Sequence, residues 1–161
     1  MKRSFLLALL VLVAAVATMA SSPSFAPPER DLIRMGPYWT WGWGTGEAYS
    51  TFGVPTFLRD QGQRFLQGHH EIAVHVDIYR GADLIGVADG TGPIVLSTVE
   101  YPEVPDGYVL LAPVTARWNV PAPTEQFLAT ITFSLSLLDS HGRVLSTASN
   151  TLTDFPMGTG Y

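Results

Sequence analysis

The sequence predicts an all-β protein: an antiparallel β-sandwich with immunoglobulin-like packing, carrying an irregular Gly/Trp-rich N-terminal arm. Three observations lead there. The stretches HHEIAVHVDIY and FLATITFSLSLL alternate apolar with polar residues, the rhythm of a strand with one buried and one wet face. Gly, Pro and Asp turn signals recur after Gly68 at roughly 8–12-residue spacing, as they do in sandwiches. No long window in that region carries the 3.6-residue helical period.

The first 26 residues read as a secretory signal peptide. Lys2 and Arg3 give a positive start, residues 5–17 (FLLALLVLVAAVA) are uncharged, and TMASSPSFA supplies small residues for cleavage after Ala20 or Ala26. The apolar run is shorter than the about 20 residues needed to span a bilayer. The expected location is therefore secreted or periplasmic, with no membrane attachment after cleavage. Residues 27–68 are rich in Gly, Pro and aromatics without sustained periodicity, and are expected to form the arm. Within it, residues 60–66 suit one or two turns of helix.

The body is expected over residues 69–155. Residues 69–79 form a strand whose buried side is His70, Ile72, Val74, Val76 and Ile78. A turn at 80–83 leads to a short return strand, 84–88, closed by the turn Asp89-Gly90-Thr91-Gly92-Pro93. Residues 94–99 make a further candidate strand, and Pro102, Pro105, Asp106 and Gly107 mark the next turn. Residues 108–118 are extended, with Pro113 demanding an edge or a bulge. Residues 127–138 are the clearest strand, with Phe127, Ala129, Ile131, Phe133, Leu135 and Leu137 on one face and hydroxyl residues on the other. Asp139-Ser140-His141-Gly142 closes a hairpin onto 143–153. Residues 156–161 are expected to be a flexible tail.

Composition limits the chemistry. The chain has no Cys, which excludes disulfides, thiol nucleophiles and Cys-ligated zinc. Lys2 is the only lysine, so a processed chain has seven Arg against fourteen acids, a net of 7 − 14 = −7, and no Schiff-base chemistry. That balance opposes nucleic acid as a partner. No nucleophile-elbow, zincin or phosphate-loop motif occurs. DGTG at 89–92 lacks the later acids of a calcium loop.

Two constellations stand out. Trp39, Trp41 and Trp43, preceded by Tyr38, alternate with Thr40 and Gly42; on an extended strand the indoles form a row at roughly 7 Å steps. Such a row packs into a core, anchors a protein interface or stacks on sugar rings. His75 and Asp77 stand at i and i+2 on the wet face of residues 69–79, where both could reach one metal ion, although two ligands on one strand do not complete a site. The expected function is an exported, non-catalytic binding or structural module acting by protein–protein contact or self-assembly through the arm or a sheet edge. Carbohydrate binding by the tryptophan row is the first alternative. A small secreted hydrolase drawing on Glu47, Glu100, Glu103 or Glu125 is the second. No cofactor is expected.

Overall fold

The computed structural model of the protein describes residues 31–36, 40–43, 49–59, 64–66, 69–120 and 123–158. Among them the chain is all-β, with two antiparallel sheets, one of them curled. β1 (Ile33–Met35), β4 (Thr56–Arg59) and β7 (Tyr108–Leu110) form a three-stranded sheet in the order β1-β4-β7. The second sheet contains β2 (Thr40–Trp43), β3 (Ser50–Gly53), β5 (Glu71–Arg80), β6 (Asp83–Pro93), β8 (Thr115–Trp118), β9 (Phe127–Leu138) and β10 (Val144–Met157). Its order is β10-β9-β5-β6-β8-β3-β2. Residues 64–66 make a single turn of 3₁₀ helix. No helix among the described residues is long and apolar enough to cross a membrane.

Alternation explains the centre of the large sheet. Ile72, Val74, Val76 and Ile78 of β5 and Ala129, Ile131, Phe133, Leu135 and Leu137 of β9 are all buried on one side. Residues between them stay partly wet, and Thr132 and Thr151 hydroxyls bond across β9 and β10 at 3.0 Å. Leu32, Ile33 and Leu58 of the small sheet region join the same apolar cluster, as do Phe155 and Met157 at the end of β10. Both sheets therefore close on one core. Each such fully buried side chain contributes about 1.5–3 kcal/mol.

The segment expected as an irregular arm supplies four strands, β1 to β4. Their shortness, three or four residues each, hides any period. The expected turn at 89–93 is instead the second half of β6, which runs eleven residues. Its glycines are there for closeness, not for turning. Gly86, Ala88, Gly90 and Gly92 share one face of β6, and β8 crosses that face. A Cβ on Gly90 would lie 2.0 Å from the Thr115 carbonyl oxygen, and one on Gly86 2.5 Å from the Trp118 indole. Trp118 is only 7% exposed because it seats on that glycine.

Two further expectations are corrected. Residues 94–99 form no strand; they are tied to the chain after β7 by a single bridge, Leu96↔Leu111. Residues 108–118 are not one strand but two, β7 and β8, and these belong to different sheets. Pro113 lies between them, where the missing N–H has no ladder to interrupt. The β9–β10 hairpin forms as expected. Its loop is held by the Asp139 carboxylate, which accepts bonds from the His141 and Arg143 amides and from Arg143 Nε at 2.8, 2.9 and 2.6 Å. β10 runs on to Met157, two residues into the segment expected as a tail.

Candidate functional site

The three-stranded sheet has a second side, facing away from the core. On β4 the alternation turns Leu58 inward and Phe57 and Arg59 outward. The register sets Phe57 between Arg34 and Leu110, and Arg59 beside Tyr108. Phe57 is 1% exposed yet lies outside the main core cluster. It is covered by the Tyr101 ring, edge-on at 5.6 Å, from the loop that precedes β7.

Tyr108 is the centre of this outer face. The Arg34 and Arg59 guanidinium carbons stand 4.7 and 5.6 Å from its ring centroid, within range of cation–π attraction. Its hydroxyl accepts a bond from Arg59 Nη2 at 3.3 Å and donates one to the Asp31 carbonyl at 2.8 Å. Among the described residues, neither arginine has a carboxylate at ion-pair distance. Arg80 and Arg143, by contrast, pair with Glu125 and Asp139.

An apolar groove of about 300 Å³ opens beside this cluster, lined by Val54, Pro55, Val99, Tyr101, Leu110 and Pro113 among others. Leu110 is two residues from Tyr108 on the same side of β7, a separation of roughly 7 Å. The far wall is fixed by main-chain bonds: the Ser97 amide donates to the Leu110 carbonyl and the Ala112 amide to the Val95 carbonyl. Val99, on the rim, is 72% exposed. An apolar side chain standing in water at a preformed groove has area to gain from a partner.

Of the residues singled out in the sequence, Trp39 and Tyr38 lie outside the described residues. Trp41 and Trp43 fall on β2, an edge of the seven-stranded sheet. The register sets their positions opposite Phe52 and Ser50, two fully buried residues of β3.

His75 and Asp77 are brought together on the outer face of β5. Nε2 of His75 lies 3.2 Å from Asp77 Oδ1, and Nδ1 lies 2.6 Å from Asp89 Oδ1, directly across on β6. A neutral imidazole has one N–H, so two carboxylate partners favour the imidazolium. The bond to Asp89 raises the His75 pKa above 6.5; burial opposes it, and the nearby Asp77 charge adds to the rise. Among the described residues no group of three or more His, Cys, Asp or Glu is arranged to hold a metal ion. His75, Asp77 and Asp89 thus form a half-exposed hydrogen-bonded cluster that links β5 to β6.

The groove and the arginine–tyrosine cluster carry no continuous sequence signature. Their residues come from short strands and a proline-rich loop, and only the register β1-β4-β7 assembles them. The one local signal was TFLR, in which Phe57 and Arg59 alternate with Leu58. Comparison with protein-family models, with curated proteins and with solved structures finds no match.

Proposed function

We propose that the chain is an exported, non-catalytic binding module, a β-sandwich with immunoglobulin-like packing that engages a partner protein after signal-peptide cleavage behind Ala20 or Ala26. The contact surface is the outer face of the three-stranded sheet, where the groove meets the Arg34–Arg59–Tyr108 cluster. The single core shared by both sheets supports the sandwich. The observation that carries the binding role is the groove itself: about 300 Å³, apolar, with a wall held by main-chain bonds. A fixed apolar wall lowers the ordering cost of association. The sequence expectation put the contact on the arm or a sheet edge; the face used here takes Arg34, Phe57 and Arg59 from that arm, and Tyr108 and Leu110 from β7.

The test is selection of a fully randomised displayed-peptide library on the processed protein. Enriched peptides should bind the wild type and lose binding to Leu110→Glu, whose melting temperature is measured in parallel. Enrichment of nothing, or of peptides that bind Leu110→Glu equally well, overturns the proposal.

A further inference from the structure

We infer that the Arg34–Arg59 pair over Tyr108 is a receptor for a carboxylate, and that the partner is an extended polypeptide segment presenting an acidic side chain two residues from an apolar one. The inference rests on the docking reading above and adds the chemistry of the occupant. Three observations support it.

First, the two guanidiniums share one aromatic ring and have no carboxylate partner among the described residues, in a chain with formal net charge −5. Two like charges held beside one ring repel; an anion between them removes that repulsion and offers both forks an acceptor. Second, the Tyr108 hydroxyl is bonded on both sides, accepting from Arg59 Nη2 and donating to the Asp31 main-chain carbonyl. The ring and the Arg59 fork are thereby fixed before any ligand arrives. Third, the spacing selects a polypeptide. The groove residue Leu110 and the cluster residue Tyr108 are alternate residues of one strand. Alternate side chains of an extended partner segment are separated by the same roughly 7 Å. One apolar side chain in the groove thus sets the next same-side residue over the arginines, where an Asp or Glu is the complement.

The arginines also cover Tyr108, which is 9% exposed, so a purely structural role must be separable. The experiment uses two displayed libraries on the processed protein. Each fixes one central residue, Asp in one and Asn in the other, flanked by randomised positions. The Asp library should enrich about tenfold or more over the Asn library, as expected for hydrogen bonds to a charged group. On the double variant Arg34→Gln/Arg59→Gln the ratio should fall to one. Binding of selected Asp peptides to the wild type should weaken with added salt.

If both libraries enrich equally on the wild type and both need Leu110, the carboxylate receptor is overturned and the docking reading stands. If neither enriches, or Leu110→Glu makes no difference, both fall. If the double variant melts earlier but keeps the wild-type Asp-to-Asn ratio, the arginines are structural and the inference is overturned. If the wild type dimerises on size exclusion and Leu110→Glu abolishes the dimer, the occupant is a second copy, which also overturns the partner named here.

Discussion

Gly90→Ala probes the most demanding contact in the fold. A Cβ at position 90 would lie 2.0 Å from the Thr115 carbonyl oxygen, 2.8 Å from its carbon and 3.0 Å from the Ala116 Cα. Real Cβ atoms essentially never approach closer than 3.0 Å, so the carbonyl must retreat by 3.0 − 2.0 = 1.0 Å at least. The obstacle is main chain, and no rotamer change relieves it. β8 must move away from β6, to which it is joined by one registered pair, Asp89↔Arg117. Ala116, fully buried beneath this crossing, moves with it. Overpacking that shifts backbone costs about 1–3 kcal/mol, and this case belongs at the upper end. For a domain of this size about 3 kcal/mol lowers the melting temperature by roughly 10 °C. Gly42→Ala is the control, because a Cβ on that strand glycine meets nothing within 4 Å. The control should be neutral or stabilising by a few tenths of a kcal/mol, about what a restricted unfolded chain gives. Thermal melts of both variants, followed by circular dichroism, decide the matter. A Gly90→Ala protein melting within about 1 °C of wild type would refute the close crossing of β8 over β6.

The Asp139 carboxylate is held down to about 2 by the Arg143 amide and side chain and the His141 amide, from an ordinary 3.8. Its stabilisation is complete above the ordinary value and disappears as pH falls toward 2. The melting-temperature gap between wild type and Asp139→Asn should therefore close between pH 4 and 2. The His75 pKa is raised, so its stabilisation is complete below 6.5 and is lost as pH rises through the folded-state value. Wild type should exceed His75→Gln in melting temperature most at mildly acid pH, and the gap should shrink in alkali and in high salt. Ser146 is buried at a bulge of β10, and its hydroxyl has no hydrogen-bond partner among the described residues. Ser146→Ala should leave urea stability unchanged or raise it by up to about 1 kcal/mol; a loss of that size would reveal a partner for the hydroxyl.

The legible parts of the fold were those where burial alone sets the pattern. β5 and β9 lie side by side inside the larger sheet, each flanked by strands on both sides and with one face on the core, so their period-two pattern survives intact. The Asp139 loop was legible because its hydrogen bonds are local. β6 was cut short because its inner face is Gly86, Ala88, Gly90 and Gly92. Those residues resemble turn formers in sequence, and only the crossing of β8 gives them a strand role. β7 and β8 merged because the chain remains extended while it passes from one sheet to the other. The candidate site was hidden for a related reason. Arg34, Arg59 and Tyr108 are far apart in sequence and meet only through pairing of three-residue and four-residue strands. His75 and Asp77 were visible as an i, i+2 pair, but Asp89, the stronger partner, required the β5–β6 register.

The outer face of the three-stranded sheet is the surface proposed to meet a partner. Hydrogen–deuterium exchange of the processed protein, with and without a library-selected peptide, reads that surface directly. The predicted result is peptide-dependent protection of residues 96–101 and of β7, with the edge strands β2 and β10 unchanged. Protection confined to β2 or β10 would place the contact at a sheet edge and contradict the account.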